Sequence, residues 1–336
     1  MLKALVTGAT GYLGSHIVER LLEQGHEVRA LARKTSDIRH LKTTGAEIVF
    51  GDIEHYDSLV PAVDGVDVVF HAAARVMPGW GVWEDFENCI VRGTENMLKA
   101  SAEAEVSRFV YVSSGTVMGK AALADTPAAE TAPYDLEFNR DTYYDWAKMK
   151  GEQLAIDYHK QGRLPVTVVR PCMVYGPRCR LLTDRVFRYT KMPIGVWPGS
   201  ENARTALVHI TDVADCIILA ATNEKAVGQV YNIAPPEEGR FRDLVAAMCR
   251  AAGKPVPRLT IPISLLYATA VVLELWARLW RNRNLPFLTR SDVRFLREGM
   301  HVDGSKARRE LGWEPKVSVE EGTRLYVQWR RSQGKK

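Results

Sequence analysis

The sequence predicts an α/β fold, in which a doubly wound parallel sheet is combined with a smaller, interleaved α/β domain towards the C-terminus. The first half alternates strand patterns with helical patterns, which is typical of repeated strand–helix–strand units. The strands are almost uniformly apolar, as expected of strands that helices cover on both faces. The predicted strands are residues 2–6, 28–32, 48–50, 66–70, 108–112 and 166–169.

The composition is that of an ordinary globular protein with room for a large core. Among 336 residues, 46% are hydrophobic and 25% are charged, and the formal net charge is +5. The basic residues are dispersed until the C-terminal third, so no nucleic-acid partner is indicated. The five cysteines form no C-x-x-C pair, which predicts reduced thiols rather than a metal site or disulfides. Because the chain begins in a strand pattern, without a signal peptide, we expect a cytoplasmic protein.

A glycine turn between the first strand and the first helix is the strongest single motif. Gly8 allows a sharp turn, Gly11 lets a pyrophosphate approach the backbone, and Gly14 lets helix and strand pack closely. The free N–H groups and positive dipole end of the helix favour phosphate there. Glycines also serve plain turns, but this position favours a dinucleotide site. The residues predicted to contact the dinucleotide here are Gly8, Thr10, Gly11, Tyr12, Leu13 and Gly14.

The ends of the second and third strands predict how the adenosine half is held. Enzymes that prefer NAD usually place an acidic side chain after the second strand, whereas this chain has Ala32 followed by Arg33 and Lys34. A guanidinium can bind a 2′-phosphate, so we expect NADP(H) to be preferred over NAD(H); the alternative is a solvated basic turn. Asp52 is placed to accept from the adenine amino group and Ile53 to pack on the ring. A turn-capping role for Asp52 is nearly as compatible with the sequence.

Tyr144 and Lys148 are the candidate catalytic pair. On a helix, side chains four residues apart share a face, and an ammonium beside a phenol lowers the phenol pKa. Tyr143 is the adjacent rival, but the residue four positions after it is Ala147. Ser114 follows a predicted strand and can hold a carbonyl or alcohol oxygen near Tyr144. The pair occurs often by chance, and its position between the fifth and sixth strands gives it weight.

Several further segments continue this pattern to the end of the chain. They are Thr7-Gly-Ala-Thr-Gly-Tyr-Leu-Gly14, Gly51-Asp52-Ile53, His71-Ala72-Ala73-Ala74, Val110-Tyr-Val-Ser-Ser-Gly-Thr-Val-Met-Gly119, Arg170-Pro-Cys-Met-Val-Tyr-Gly-Pro177, Leu207-Val-His-Ile-Thr-Asp-Val-Ala214, Val230-Tyr-Asn-Ile233 and Ser305-Lys-Ala-Arg-Arg-Glu-Leu-Gly-Trp-Glu-Pro315. Together they resemble the extended short-chain dehydrogenase/reductase superfamily, also called the NAD-dependent epimerase/dehydratase family. The resemblance implies a Rossmann-type sheet and a catalytic trio of Ser114, Tyr144 and Lys148. It also implies cofactor contacts from Ala72, Ala73, Ala74, Ser113, Lys148, Pro171 and Val174.

Two departures from the family pattern narrow the chemistry. Members usually carry Asn-Val-x-Gly-Thr on the fourth helix, but here Ile90 replaces the asparagine, and Asn88 is out of register. Members that dehydrate nucleotide sugars place an acidic pair directly after the serine. Here Gly115 and Thr116 follow, which excludes that chemistry.

The subgroup that the chain resembles most is that of the 3β-hydroxysteroid and sterol-4-carboxylate 3-dehydrogenases. The loop over residues 74–84 and the segment 267–289 look like the corresponding parts of that group. Aromatic and apolar residues in the first loop suit a lipidic substrate, or else pack on their own protein. The predicted substrate contacts are Met77, Trp80, Trp83, Tyr175 and Arg204.

The apolar segment 261–283 has three interpretations. Glu274 and Arg278 interrupt it, so it is short for a membrane span. Leucines and tryptophans followed by arginines suit peripheral contact with a membrane interface. A substrate lid or buried core helix is as compatible. The family resemblance also implies a homodimer through the long helices at 83–104 and 141–161.

The sequence therefore predicts an NADP(H)-preferring oxidoreductase that interconverts a secondary alcohol and a ketone on a hydrophobic, steroid-like or long-chain substrate. The alternatives are a nucleotide-sugar epimerase or reductase, suggested by Arg178, Arg180 and Arg204, and a non-catalytic cofactor sensor. We expect residues 1–177 and about 205–235 to form the dinucleotide domain. Residues 178–204 and 236–336 should form the substrate domain.

Overall fold

A seven-stranded parallel sheet organises the computed structural model, which describes residues 1–76, 80–191, 196–198, 203–280 and 286–334. The strands in these residues are β1 Lys3–Thr7, β2 Glu27–Ala32, β3 Glu47–Phe50, β4 Val68–His71, β5 Arg108–Val112, β6 Val166–Pro171, β7 Met173–Tyr175, β8 Val196–Pro198, β9 Arg204–Thr205, β10 Leu207–His209, β11 Val230–Ile233, β12 Gly239–Arg240 and β13 Leu259–Ile261. The central sheet has the order β3-β2-β1-β4-β5-β6-β11. The predicted fold class is confirmed.

The strand order places the glycine turn at the centre of the sheet. The chain runs outwards from β1 to β3 and then returns to the other side of β1 as β4. The order of the strands therefore reverses between β1 and β4, and open α/β sheets bind ligands at such a reversal. The turn after β1 opens at this point.

Helices cover both faces of the sheet, as the apolar strands predict. The helices in the described residues are α1 Tyr12–Glu23, α2 Val60–Val63, α3 Trp83–Phe86, α4 Gly93–Glu103, α5 Tyr143–Lys160, α6 Thr183–Tyr189, α7 Ile210–Thr222, α8 Phe241–Ala252, α9 Ile263–Leu279, α10 Arg290–Glu298, α11 Ser305–Leu311 and α12 Val319–Ser332. On one face, Val18 of α1 and Ile217 of α7 pack with Val6. On the other, Met97 of α4 packs with Leu5.

The helix predicted over residues 83–104 contains a π-helical segment. Residues Glu87–Arg92 form this wider turn between α3 and α4. It coincides with the position at which Ile90 replaces the family asparagine, and π-bulges are frequent near functional sites. Ile90 is buried and packs with Phe86 and Ala147. This position is therefore part of an apolar contact between α3, the π-helical segment and α5.

The C-terminal part of the chain has an apolar core of its own. Tyr175, Trp197 and Met248 are buried there with Tyr326 of α12, which packs along α8. The chain nevertheless returns to the main sheet as β11, which pairs with β6. The exact domain boundaries stay a prediction. None of the helices that the structure describes is long and apolar enough to cross a membrane.

Candidate active site

The glycine turn brings strand and helix into direct backbone contact. Gly8 has φ +67°, and a Cβ there would lie 2.9 Å from the carbonyl carbon of Ala72, directly after β4. A Cβ on Gly14 would overlap the carbonyl oxygen of Gly8, while the Gly11 amide donates to that same oxygen over 2.8 Å. Gly11 caps α1 without a side-chain hydrogen bond. The first amides of α1 are thus uncapped, which fits the pyrophosphate of a dinucleotide.

Two exposed cations follow β2, and a turn capped by a carboxylate follows β3. Arg33 and Lys34 are exposed directly after β2, where the 2′-phosphate of NADP(H) was predicted to bind. The Asp52 carboxylate accepts from the amide of Glu54 over 3.2 Å, so it caps its own turn. Ile53 is buried, and a Cβ on Gly93 would collide with it. The structure therefore leaves Arg33 and Lys34 available and uses Asp52 and Ile53 partly for local packing.

A buried histidine connects β1, β4 and α4 beneath the turn. His71 Nδ1 lies 2.8 Å from Thr7 Oγ1, and its Nε2 lies 3.1 Å from Thr94 Oγ1. The amide of Ala73 donates to the same Thr7 hydroxyl over 3.2 Å. Burial and the charge of Lys148 lower the pKa of His71 to about 3, so its ring is neutral. This network holds the segment from Ala72 to Ala74 against the turn.

Ser114 and Tyr144 meet at the carboxyl end of β5. Ser114 lies two residues after β5 and caps a turn at Gly115–Met118 that packs on α5, and Tyr144 lies in the first turn of α5. Ser114 Oγ also lies 2.9 Å from Thr116 Oγ1. Burial and the Asp145 carboxylate raise the pKa of the Tyr144 phenol, whereas the Ser114 hydrogen bond lowers it. The neutral phenol is favoured, and the lowered pKa predicted from the sequence is not found.

Lys148 lies one turn after Tyr144, but its ammonium group faces β5. Lys148 Nζ donates to the Val112 carbonyl oxygen over 2.6 Å. Burial lowers the pKa of Lys148 to about 8, while Cys89 and Glu152 act in the opposite direction. Lys148 is therefore held on β5, and its predicted effect on the phenol stays a prediction.

Asp145 is a titratable neighbour of the trio that sequence reasoning missed. Burial raises the pKa of its carboxyl group to about 7, against a hydrogen bond from Thr116 and the charge of Arg294 on α10. A hydroxyl two residues after Ser114 was the available signal, since Thr116 bridges Ser114 and Asp145. The side chains of Ser114, Thr116, Asp145 and Tyr144 thus form one polar cluster at the start of α5.

Glu152 is a second residue that the sequence analysis missed. It lies one turn after Lys148 and is completely buried. Its carboxylate accepts from Arg170 Nε over 3.0 Å, from the Tyr134 hydroxyl over 2.9 Å and from the hydroxyl of Ser113. The i+4 spacing from Lys148 was the available signal. Because the Ser113 side chain is bonded to Glu152, its predicted cofactor contact is not supported by the side chain.

Comparison with known proteins identifies the family. The model of the NAD-dependent epimerase/dehydratase family matches residues 4–234. The chain belongs to this family. It is similar to a 2-alkyl-3-oxoalkanoate reductase from Shewanella oneidensis, with 28% identity over 95% of this chain and 84% of the relative. It is also similar to a 3β-hydroxysteroid dehydrogenase/Δ5→4-isomerase from Mycobacterium tuberculosis, with 30% identity over 95% and 88% of the two chains.

A solved structure matches nearly the whole fold. MoeE5 in complex with UDP-glucose and NAD has a TM-score of 0.74 and 25% identity, covering 98% of this chain and 99% of the other. The two named relatives of the present chain are a reductase and a dehydrogenase, which act on keto or hydroxyl groups. The protein is accordingly an NAD(P)-dependent dehydrogenase or reductase. The glycine turn fits the dinucleotide that this family binds.

The substrate residues predicted for this family member separate into two groups. Trp83 packs on Phe138, with ring centroids 5.0 Å apart, and on Tyr143 near the start of α5. Trp80 is also buried, and Met77 lies outside the described residues. Phe138, missed by the sequence analysis, is 52% exposed. An aromatic cluster of Trp83, Phe138 and Tyr143 therefore lies beside Tyr144.

The other two predicted substrate residues lie elsewhere. Tyr175 is only 1% exposed, and its hydroxyl donates to the Ser318 carbonyl oxygen over 3.0 Å. The substrate role predicted for Tyr175 is therefore not supported, because its side chain packs in the C-terminal core. Arg204 stays exposed, with Nη1 3.9 Å from the Glu238 carboxylate. Pro171 ends β6 in the central sheet, and Val174 follows it in β7, which pairs with β10 in a separate two-stranded sheet.

Proposed function

We propose that the protein is an NADP(H)-preferring oxidoreductase that interconverts a secondary alcohol and a ketone on a hydrophobic substrate, using Ser114, Tyr144 and Lys148. The observation that carries the proposal is the placement of Ser114 on a turn that packs against α5, where Tyr144 lies in the first turn of the helix and Lys148 follows one turn later. A hydroxyl and a phenol at the same end of a strand can act on one substrate oxygen: the hydroxyl holds it and the phenol donates a proton to it. The family membership supplies the nicotinamide chemistry.

Each catalytic side chain has one role in the reductive direction. Ser114 donates to the carbonyl oxygen and fixes its position, and Tyr144 donates the proton that this oxygen receives. The raised pKa of Tyr144 keeps the phenol protonated, which suits this step. Lys148 supplies positive charge beneath the site. When bound, the nicotinamide supplies the hydride.

The preference for NADP(H) rests on the end of β2. Ala32 gives no carboxylate for a ribose 2′-hydroxyl, and the exposed Arg33 and Lys34 follow it. A 2′-phosphate carries negative charge that a guanidinium can bind in a bidentate manner. This part of the proposal goes beyond the family, whose solved relative MoeE5 was crystallised with NAD.

The hydrophobic substrate is supported by the aromatic cluster and by the relatives. Trp83 and Phe138 place apolar area beside Tyr144. The two curated relatives are named for an alkyl-oxoalkanoate and a hydroxysteroid. The position of Arg178 argues against the nucleotide-sugar alternative. Its guanidinium donates to Glu19 over 2.7 Å, so it is held by α1 instead of pointing to a free diphosphate site.

The principal test is the substitution Tyr144→Phe, followed by nucleotide absorbance. Purified protein is assayed with NADP(H) or NAD(H) and with 3-hydroxy and 3-keto steroids, a long-chain β-keto acid and UDP-sugars. We expect Tyr144→Phe to lower turnover by about 10²- to 10⁴-fold, with cofactor binding nearly intact. Tyr143→Phe is the matched control and should keep most of the activity. Full activity in Tyr144→Phe rejects the trio, and sugar conversion without net redox identifies an epimerase.

A second substitution tests the cofactor preference. Arg33→Ala removes the guanidinium and should weaken NADPH binding by about tenfold or more, with little effect on NADH. Arg39→Ala is the control, because Arg39 is equally exposed on the same loop but bonded to Asp37 over 2.9 Å. Equal losses for both nucleotides in Arg33→Ala would show that Arg33 does not contact the phosphate. Fluorescence titration of each nucleotide measures the two affinities directly.

A further inference from the structure

The helix α9 exposes an apolar face that no described part of the chain covers. Nine of the seventeen exposed large hydrophobic side chains in the described residues lie between positions 259 and 287. Six of them form one stripe along α9 and just beyond its end, which we call the outer face. The outer face consists of Leu265, Val272, Leu275, Trp276, Leu279 and Trp280, which are 53–81% exposed. Such a contiguous patch marks an interaction surface.

The opposite side of α9 already supplies the packing that the fold requires. Leu266 and Ala270 are buried, and with Val293 of α10 they form a small apolar cluster. Ala277 is buried on the same side. The helix is therefore apolar around most of its circumference, although one side alone is used within the chain. A helix of this kind is buried on both sides in its functional state.

The charges around α9 indicate what covers the outer face. The only acidic residue of the helix, Glu274, is 2% exposed on the inner side and accepts from Arg290 Nε over 3.0 Å. Arg258 is exposed immediately before β13. The sequence continues after Trp280 with further arginines, although these lie outside the described residues. The segment thus offers cationic groups at its ends and no free carboxylate within the helix.

We propose that the outer face of α9 docks on an anionic lipid surface. Tryptophans are enriched at membrane interfaces, and the rings of Trp276 and Trp280 lie 6.2 Å apart at the arginine-rich end. The helix has 17 residues and is about 25 Å long, so it lies along the surface of the bilayer rather than across it. The apolar stripe enters the acyl boundary, and the positive charge that the sequence carries at both ends of the segment favours anionic lipid.

The docking surface lies one helix away from the catalytic tyrosine. The helix α10 packs on α9 and carries Arg290 and Arg294. Asp141 is among the groups whose charge acts on Arg290, and Arg294 is among those that act on Asp145; the two aspartates lie on either side of Tyr144 in the chain. A membrane-dissolved substrate would therefore leave the lipid close to the active site. This consequence, unlike the docking itself, rests on the proposed function.

Vesicle co-sedimentation of the full chain tests the docking without any turnover. The probes are vesicles of phosphatidylcholine alone and of phosphatidylcholine mixed with phosphatidylglycerol. We expect the protein to bind the anionic vesicles more tightly, with affinity falling as salt is added. The double variant Trp276→Ser/Trp280→Ser should bind about tenfold or more weakly. The control Val60→Ser/Leu123→Ser removes exposed apolar side chains elsewhere and should bind like the parent.

Three results would overturn the docking proposal. The first is that the protein binds neither kind of vesicle, and the second is that the tryptophan variant binds anionic vesicles as tightly as the parent. The third is that light scattering finds the parent to be a dimer and the variant a monomer. The last result would show that a second copy covers the outer face. The salt titration uses the unmodified protein, so the proposal remains testable if the variant fails to fold.

Turnover separates the docking from the proposed function. With a substrate dissolved in vesicles, the tryptophan variant should lose about tenfold in rate, while a short soluble substrate should be turned over at the parent rate. Vesicle binding without turnover of any substrate would reject the proposed function and leave the docking intact. Equal rates from vesicles for variant and parent would reject delivery through this surface.

Discussion

The glycine turn after β1 and the start of α5 both lie at the carboxyl edge of the sheet, but different forces hold them. In the turn, Gly8, Gly11 and Gly14 bring backbone atoms into contact, and side chains contribute little. At the start of α5, hydroxyl and carboxyl side chains determine the geometry. For example, the hydroxyl oxygens of Ser114 and Thr116 lie 2.9 Å apart. Where backbone atoms are in contact, glycine is the one residue type that fits. Where side chains form a network, several residue types can fill a position.

The two regions also differ in their titratable side chains. The turn contains no titratable side chain except Tyr12, and it is prepared for phosphate by uncapped amides. The helix α5 carries Asp145, Lys148 and Glu152 within eight residues, all on the side of the sheet. Burial shifts the pKa of Asp145 upwards and that of Lys148 downwards. Variants of the two regions should therefore fail in different ways.

The largest effect is expected at Glu152, which anchors α5 to β6. Glu152→Gln removes the negative charge and leaves the Arg170 guanidinium buried without its counter-ion. Breaking such a pair costs about 3–5 kcal/mol of unfolding free energy. Urea denaturation measures it, with Glu321→Gln as control, because the Arg324–Glu321 pair is exposed to solvent and should contribute little to stability. Equal losses in the two variants would contradict a structural role for the buried pair.

A smaller loss of stability is expected at the turn, together with a loss of cofactor binding. In Gly14→Ala, the new Cβ overlaps the Gly8 carbonyl oxygen, so α1 must move away from β1. We expect about 1–3 kcal/mol of destabilisation and no measurable NADPH binding. Gly239→Ala is the control, because its Cβ would meet the nearest atom at an ordinary 3.6 Å. Normal NADPH affinity in Gly14→Ala would show that the close approach is not required.

The same contrast explains what the sequence could predict. Apolar strands and glycine spacing fix the sheet and the turn, because burial and backbone sterics act on residue type alone. Sequence reasoning also singled out Ser114, Tyr144 and Lys148, since their spacing is visible along the chain, and their catalytic roles stay a prediction. It missed Asp145 and Glu152, because a carboxylate on a helix surface and a buried one read alike in sequence.

Two further differences between sequence and structure have the same physical origin. Tyr175 was expected to contact substrate, yet it packs under Ser318, which lies 143 residues further along the chain. Lys148 was expected to act on Tyr144, but the carbonyl oxygen of Val112 holds its ammonium group. Both contacts depend on which distant backbone oxygen is nearby. Such contacts are set by tertiary packing and leave no local pattern in the sequence.

The smallest effect, and the sharpest test of the charge at α5, is expected from Asp145→Asn. The pKa of Asp145 is raised to about 7 in the folded protein, so the stabilisation from its neutral form is present at pH 4 and lost as pH rises through 7. Because Asp145 is partly exposed, solvent screening reduces the free energy that this shift implies. The variant should therefore equal the parent at pH 4 and exceed its unfolding free energy by about 1–2 kcal/mol at pH 8. Urea midpoints at both pH values measure this, and a constant difference would contradict it.

Because the Asp145 charge raises the pKa of Tyr144, Asp145→Asn should also shift the alkaline rise of alcohol oxidation to lower pH. Asp157→Asn, exposed near the other end of α5, should leave both profiles unchanged.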